Sequence, residues 1–547
     1  MKLLSLLQKT SGTSFIGAVF AGLVSGISST GLIALINHAI ANRSSTNALV
    51  GMSYIAMCVF LIVSMALSQL LLARLVQGIT FKLRLQLTNQ ILTCPLRHLE
   101  ELGAAKLLAA LTEDVEAVSN ASFQVANLCI AVAMFIACMF YMMWQSLPLF
   151  GIAVVITIVG ISSHRVLTNK ATYFLKLARS GQNELFAHFR TAIEGVKELK
   201  LHTARRQAFL TQELENSANS VKNYKNTATD IFAIASSWGF LFLFGPLGIL
   251  VFVAPNFINL STSVLSGYAL ILIFTFTMPL RVLLNTLPEI SKADIALENI
   301  QSLGLSLASQ NQEITNKLSN SDASKFSDTG INIELENVVH TYGSERDATL
   351  FHLGPMNLSF SPGELIFIVG GNGSGKSTLV KLITGLYIPE SGAIYIDGKL
   401  VTDKNREWYR QHFSVVFYDF YLFERLLGIE HPDIETQATK YLEQLQLNHK
   451  VFLKDGRLST TALSQGQRKR LALLTAYLED RSIYVFDEWA SDQDPVFREL
   501  FYTQLLPALK NRGKTVIAIS HDDHYFYIAD RIIKLDYGQV EYNKRNH

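Results

Sequence analysis

The chain has 547 residues, 49% of them hydrophobic and only 17% charged, with a formal net charge of +2. That length exceeds one ordinary domain and predicts two or three. The near-balanced charge gives no electrostatic case for nucleic-acid binding, and Cys58, Cys94, Cys129 and Cys138 lack metal-type spacing and imply no disulfide framework.

Six stretches, near 14–37, 49–74, 122–144, 147–166, 231–254 and 263–285, have the length and apolarity to cross a bilayer, which takes about 20 residues each. The first follows Lys2 and Lys9, the pattern of a signal peptide, but its apolar run is long and lacks a small-residue cleavage site, so an uncleaved span is expected. The loops near 38–48, 145–146 and 255–262 are short, and only the first carries a basic residue, Arg43. The loops near 75–121 and 167–230 are long and rich in lysine and arginine, Lys82, Arg84, Arg97 and Lys106 in the one and Lys170, Arg190, Arg205 and Arg206 among others in the other. Basic residues favour the cytoplasmic side, which puts both long loops and both termini there. Their turns, near Pro95–Gly103 and Ala192–Leu201, are expected to touch a cytoplasmic domain. Gln69, Asn127, Tyr141, Trp238 and Arg281 are polar or aromatic residues of the spans; each either meets cargo or serves a structural end, binding a neighbouring helix or, for Arg281, snorkelling.

Residues 288–303 read as a further helix, and 303–330 as a linker rich in Ser, Asn, Gln and Asp. From 331 to the end, apolar runs at 331–339, 365–369, 393–396, 413–417, 483–486, 515–519 and 531–535 alternate with helical stretches, an α/β pattern. The expected organisation is therefore an all-α transmembrane domain of six spans over 1–302, a linker over 303–330, and an α/β domain over 331–547.

The α/β half carries the chemistry. Leu365–Val369 leads into Gly370, Gly371, Asn372, Gly373, Ser374, Gly375, Lys376 and Ser377, a complete G-x-x-x-x-G-K-[ST] phosphate loop, and Thr378 continues into a helix. Glycines let the backbone N–H groups turn inward and the helix N-terminus adds positive potential, so these residues are expected to bind the ATP phosphates. Lys376 is expected to reach the β- and γ-phosphates and Ser377 to bind Mg²⁺. Ser482–Glu488 is an apolar run ending in two carboxylates: Asp487 is placed to support Mg²⁺ and Glu488 to act as general base toward water.

Leu463-Ser464-Gln465-Gly466-Gln467, ahead of a helix read over Arg468–Leu478, resembles the L-S-G-G-Q signature of the ATP-binding cassette (ABC) superfamily. The resemblance implies that Ser464, Gly466 and Gln467 contact ATP held by an opposite subunit, that Tyr342 stacks on adenine, that Asp494 occupies the D-loop, and that His521 is the switch histidine at the γ-phosphate. With His521 so assigned, His521-Asp522-Asp523-His524 is not read as a metal site. Where the superfamily usually has glutamine before Leu422-Phe423, this chain has Tyr418, a poorer metal ligand.

The order of domains resembles type I ABC exporters. Glu194–Leu199, Phe486–Ala490, Asp492–Pro495 and Ser520–Phe526 look like the bacterial cyclic-peptide/siderophore exporter family, most of all its members linked to microcin-type lasso peptides. The resemblance implies an ATPase-coupled half-transporter in the bacterial inner membrane, among membrane lipids, with its ATPase domain cytoplasmic. A second copy would complete the ATP sites, making a homodimer; a peptide would be the cargo, and an outer-membrane channel a further partner. A lipid or glycolipid flippase of the same architecture is the second expectation, and a membrane-anchored ATP-dependent regulatory protein the third.

Overall fold

The computed structural model describes residues 12–41, 48–253, 262–277, 279–309, 330–342, 351–429 and 432–546. Two compact units divide the chain: one takes residues up to Arg84 together with Thr112–Ile300, the other Leu85–Leu111 together with Gln301–His547.

The first unit is helical. Its main helices are α1 (Gly12–Ala41), α2 (Ala48–Thr93, up to Arg84), α5 (Val115–Gln145), α6 (Leu147–Glu194), α9 (Glu215–Gly248), α10 (Thr262–Thr277) and α11 (Pro279–Ser309, up to Ile300), and the short α7 (Val196–Leu201) and α8 (Thr203–Ala208) follow α6. Among the described residues five helical segments are long and apolar enough to cross a membrane, over Gly12–Ile40, Ala48–Thr93, Lys106–Gln145, Leu147–Glu194 and Thr203–Val253. They contain the first four expected spans and the fifth up to Val253, residue 254 lying outside the described residues. The sixth, expected over 263–285, is divided between α10 and the start of α11, with an apolar helical run over Val264–Phe274 and residue 278 outside the described residues. Helix α11 continues to Ser309, past the point where composition suggested a linker; 310–329 lie outside the described residues.

Large apolar side chains such as Ile55, Phe60, Ile62 and Leu67 of α2 face outward, as suits a helix solvated by lipid rather than water. Helix contacts rely on small residues and backbone acceptors, since apolar burial gives no advantage over lipid. A Cβ on Gly26 of α1 would lie 2.6 Å from Ala133 Cβ and from the Ile130 carbonyl oxygen of α5. Ser68 Oγ of α2 donates to the Ala18 carbonyl at 2.8 Å, and Ser266 Oγ of α10 to Asn37 Oδ1 of α1 at 2.8 Å. Gln69 Nε2 donates to Asn127 Oδ1 at 3.5 Å, Asn37 Nδ2 to Tyr141 Oη at 3.3 Å, and Trp238 Nε1 to Ser163 Oγ at 3.3 Å. Four of the five candidate cargo residues thus bind neighbouring helices; the side chain of Arg281 lies outside the described residues.

The second unit holds two large sheets and a small antiparallel pair, β7 (Leu453–Lys454) with β8 (Arg457–Leu458), and its helices include α13 (Arg406–Arg410) and α14 (Ile434–Gln444). One large sheet is antiparallel, in the order β2 (Phe351–Phe360), β1 (Ile333–Tyr342), β4 (Ser391–Ile396), β5 (Lys399–Leu400). The other has the order β12 (Gln539–Arg545), β11 (Arg531–Asp536), β3 (Leu365–Gly370), β10 (Thr515–Ile519), β9 (Ile483–Asp487), β6 (Phe413–Val416); all neighbours are parallel except β12. β3, β9 and β10 are buried almost throughout, which explains their unbroken apolar runs. The strand β2 escaped the sequence reading because Gly354-Pro355 interrupts it. There the backbone passes so close to β1 that a Cβ on Gly354 would lie 2.2 Å from the Val338 carbonyl oxygen.

The same unit includes the turn after α2. Helix α3 (Leu96–Leu102) is followed by Gly103 at φ +78 and by α4 (Ala104–Ala109). Leu96 packs against the core formed by β1, β2 and the phosphate-loop helix α12 (Lys376–Ile383). Glu100 accepts from Lys381 Nζ at 2.8 Å and from the Tyr387 hydroxyl, and Arg97 Nη1 meets Glu390 Oε1 at 2.7 Å. The Pro95–Gly103 turn is therefore seated on the α/β domain, and Pro95, Arg97 and His98 line a cavity of about 460 Å³ with Leu386, Ile388 and Pro389.

Candidate nucleotide site

The parallel sheet brings the C-terminal ends of β3, β9 and β10 side by side, in the order that places each group of the site. The loop leaving β3 turns through Gly370, Gly373 and Gly375 at φ +150, +78 and +97. The two ends of the turn have no room for side chains: a Cβ on Gly375 would lie 2.6 Å from Leu353 Cδ1, and one on Gly370 2.2 Å from the Leu535 carbonyl oxygen. Gly371, Asn372 and Gly373 are exposed at its crest, and α12 begins at Lys376 with Gly375 as its left-handed cap. Ser377 and Thr378 occupy the first turn of α12, where unpaired N–H groups point out of the helix.

Lys376 is buried, and its Nζ donates to the carbonyl oxygens of Gly370 and Gly371 at 3.0 and 2.9 Å, folding over the loop. Burial lowers the pKa of its ammonium, and the nearby Glu488 and Asp487 carboxylates oppose that shift. Ser377 Oγ donates to Asp487 Oδ1 at 3.3 Å. Burial, reinforced by Glu488, raises the Asp487 carboxyl above the usual range, while Ser377 and the Tyr418 backbone N–H lower it. A buried carboxylate beside a second carboxylate and a hydroxyl is the donor set a hard cation takes. Ser374 Oγ is buried without a hydrogen-bond partner in the loop, a further donor left for a phosphate oxygen.

Glu488 follows β9 in the left-handed region at φ 49, ψ 37, which turns its side chain out of the strand. Its Oε1 lies 3.0 Å from His521 Nε2, at the end of β10. Thirty-three residues separate the two in the chain; the parallel pairing of Ile519 with Asp487 closes the gap.

The signature residues form the start of helix α15 (Gln465–Glu479), three residues earlier than the helix expected from the sequence. Ser464 is its N-cap and makes a capping box with Gln467, whose Oε1 accepts from the Ser464 N–H at 3.4 Å. Gly466 is required sterically, since a Cβ there would lie 2.8 Å from the Asp492 carbonyl oxygen. Gln493 Nε2 also donates to the Gly466 carbonyl at 3.0 Å. Asp494 caps α16 (Pro495–Leu500) by accepting from the Phe497 N–H at 2.9 Å, the main cause of its lowered pKa, and it pairs with Arg470. Tyr342 closes β1 opposite Phe351; its side chain lies outside the described residues.

Two residues went unread in the sequence. Lys469 looks like one more charge on the signature helix, yet it is fully buried behind Glu488. Phe351 lies against Gly375, within 3.1 Å of where a Cβ would stand; the missed strand β2 hid it.

A glycine loop at one strand end, an Asp-Glu pair at the end of a strand two places away in the same sheet and a helical membrane unit on the same chain define a transporter driven by ATP. Residues 12–280 match the ABC transporter transmembrane region family and residues 353–491 the ABC transporter family. The chain belongs to the ABC transporters, and it couples ATP hydrolysis to transport as a multi-pass membrane protein with a C-terminal ATPase domain. It is 36% identical over 531 residues to the ATP-binding protein SyrD of Pseudomonas syringae pv. syringae, covering 95% of this chain and 93% of that one. It is also 33% identical over 224 residues to the subtilin transport ATP-binding protein SpaT of Bacillus subtilis, covering 38% of this chain and 36% of SpaT. The match to the α-hemolysin translocation ATP-binding protein HlyB of Escherichia coli O6:H1 is 33% over 220 residues, 38% of this chain and 30% of HlyB.

Proposed function

We propose that this chain is a half-transporter that exports a peptide from the cytoplasm across the bacterial inner membrane as a homodimer. The observation that carries the ATPase assignment is the Glu488–His521 contact of 3.0 Å beside Asp487, Ser377 and the phosphate loop. Glu488 accepts a proton from the attacking water, and His521 steadies the charge that develops on the γ-phosphate. The new bond joins the water oxygen to γ-phosphorus; the bond from that phosphorus to the bridging oxygen breaks, and its electron pair leaves with ADP. Lys376 exchanges its loop carbonyls for phosphate oxygens. Ser377 and Asp487 are the residues that would hold Mg²⁺, which supplies neutralising charge at the phosphates.

The dimer reading rests on Ser464, Gly466 and Gln467. They sit at the positive start of α15, an anion-binding end, and by the family resemblance they face the ATP of a second copy. Tyr342 is assigned to adenine and Asp494 to the D-loop on the same basis. Two ATPs that bind the closed pair of ATPase domains better than the open pair bias the dimer toward closure. The Pro95–Gly103 turn, held by Glu100 and Arg97, carries that movement toward the spans.

The peptide cargo is supported by relatives whose names refer to subtilin transport and α-hemolysin translocation. Within that class, a lasso, cyclic or siderophore-type peptide is the proposed cargo, with an outer-membrane channel as the receiving partner. The test is ATP-dependent uptake into inside-out vesicles, with Glu488→Gln as control and a panel of lasso and cyclic peptides, siderophore precursors and labelled lipids. Peptide uptake that the variant abolishes supports the reading. Movement of lipid alone replaces it with a flippase, and hydrolysis without movement of any cargo on the panel counts against transport of these classes.

A further inference from the structure

Lys469 lies one turn into α15, with its side chain wholly enclosed. A buried ammonium persists only where it is paired and its protons are hydrogen-bonded. Lys469 meets that demand at three acceptors, the Glu488 carbonyl oxygen at 2.9 Å, Ser491 Oγ at 3.0 Å and Asp492 Oδ2 at 2.8 Å. Its own carbonyl accepts from Trp489 Nε1 at 2.8 Å, so both ends of the residue grip the turn that follows β9. Over the ammonium lies the ring of Tyr418, with its centroid 5.0 Å from Nζ, within the range of a cation–π contact.

The acceptor that matters most is Glu488. A non-glycine residue in the left-handed region is strained and holds that conformation only when its surroundings fix it. Lys469 fixes the peptide oxygen of that residue, and relaxing Glu488 toward ordinary backbone angles would swing both the carbonyl and the carboxylate. Tyr418 touches this assembly with its ring on Lys469, and its backbone N–H helps lower the pKa of the Asp487 carboxyl. The rest of Tyr418 is exposed, in a loop with the exposed Tyr421 and Phe423.

We infer that Lys469 is a positioning residue for the catalytic base and that Tyr418 sets it through its ring face. The ammonium holds Glu488 in the left-handed turn, so that the carboxylate stays in reach of His521. A displacement of the Tyr418 loop is transmitted to the base through Lys469, without Tyr418 ligating a metal. The inference rests on Glu488 being the base, as proposed above.

The experiment is steady-state ATP hydrolysis by the full-length protein in lipid nanodiscs, with kcat and KM separated. Lys469→Met is expected to lower kcat by about tenfold or more while KM for ATP stays within about threefold, because the phosphate loop is untouched. Lys469→Arg, which keeps charge and donors, is expected to recover part of that loss. Tyr418→Leu is expected to lower kcat and Tyr418→Phe, which keeps the ring, to lower it less. In the Lys469→Met background Tyr418→Leu is expected to have no further effect, because the contact it removes is already gone. A parental kcat in Lys469→Met, or an equal loss in Lys469→Arg, overturns the positioning role. Independent, multiplying losses overturn the link through the ring. Should Lys469→Met fail to fold, Lys469→Gln replaces it under the same criteria, and a parental kcat in Tyr418→Leu by itself overturns the link through the ring. Glu488→Gln separates the premises: normal turnover in that variant removes the base assignment itself, whereas an inactive Glu488→Gln beside a normal Lys469→Met removes only this inference.

Discussion

At the scale of single residues, the proposed site divides into groups assigned to hold nucleotide and groups assigned to act on it. Glu488→Gln keeps the shape of the side chain and its place beside His521 while removing the proposed base. Hydrolysis is expected to fall by about 10²–10⁴-fold with ATP binding retained, measured as turnover against binding of a fluorescent nucleotide. Lys376→Ala removes a charge-assisted donor worth roughly 1.5–3 kcal/mol, so nucleotide affinity is expected to fall by about ten- to a hundredfold. His412 offers a test of stability rather than chemistry. Burial pushes its imidazole down from 6.5 to about 4; Asp397 acts against the shift and Arg481 with it. The unfolded chain therefore binds a proton that the folded domain refuses. The stability tied to neutral His412 is fully present above about pH 6.5 and is lost as pH falls toward about 4, on the order of 3 kcal/mol in total. Thermal unfolding of His412→Phe is expected to show a shallower loss of Tm over that window than the parent; identical slopes would remove His412 as the cause.

At the scale of elements, close approach and capping decide what the chain tolerates. Helices α1 and α5 meet at Gly26, where any side chain would enter the Ile130–Ala133 backbone and methyl surface. Gly26→Leu is expected to destabilise the membrane unit by about 1–3 kcal/mol, read as a lower Tm of the detergent-solubilised protein. The Pro95–Gly103 turn calls for a different expectation. Its ion pairs are partly exposed, with Glu100 at 35% and Arg97 at 35%, and such pairs contribute roughly 0–1 kcal/mol each. Glu100→Ala is therefore expected to leave Tm within a few degrees of the parent while weakening the stimulation of ATP hydrolysis by cargo; a large drop in Tm with coupling intact would reverse that assignment.

For the whole molecule, the proposed homodimer treats the signature turn at the head of α15 and the phosphate loop of one chain as two half-sites. Assembly of two copies by a C₂ axis would complete both. The particle in nanodiscs is expected to contain about twice the 60.9 kDa of one chain, and hydrolysis to rise more steeply than first order in ATP; a monomeric particle with full turnover would contradict the shared site.

What could be read from residues alone was whatever is contiguous or periodic. The phosphate loop is one unbroken string from Gly370 to Ser377 between an apolar strand and a helix, and five of the spans announce themselves by hydropathy. Strands β3, β9 and β10 were legible because they are buried on both faces, and Asp487 and Glu488 because they end such a run. β2 was hidden by Gly354-Pro355, where the alternation of its burial slips by one residue before it resumes to Phe360. Helix α15 began early because Ser464 caps it, a device the signature itself supplies.

Tertiary structure alone decided which of these pieces meet. His521 comes within 3.0 Å of Glu488 because β10 lies beside β9 in a parallel sheet, and strand order is not written in the periodicity of any strand. Glu100 meets Lys381 across 281 residues of chain for the same kind of reason. Lys469 is the sharpest case. Its charge suggests a solvated helix face, but α15 packs against the turn after β9 and buries it, and only that packing turns an ordinary lysine into the hub between Tyr418 and Glu488. Composition and local pattern determined the parts of an ATP-driven membrane protein, because apolar length and backbone turns are local properties. The geometry among the parts required the folded sheet, because it depends on pairings between segments far apart in the chain.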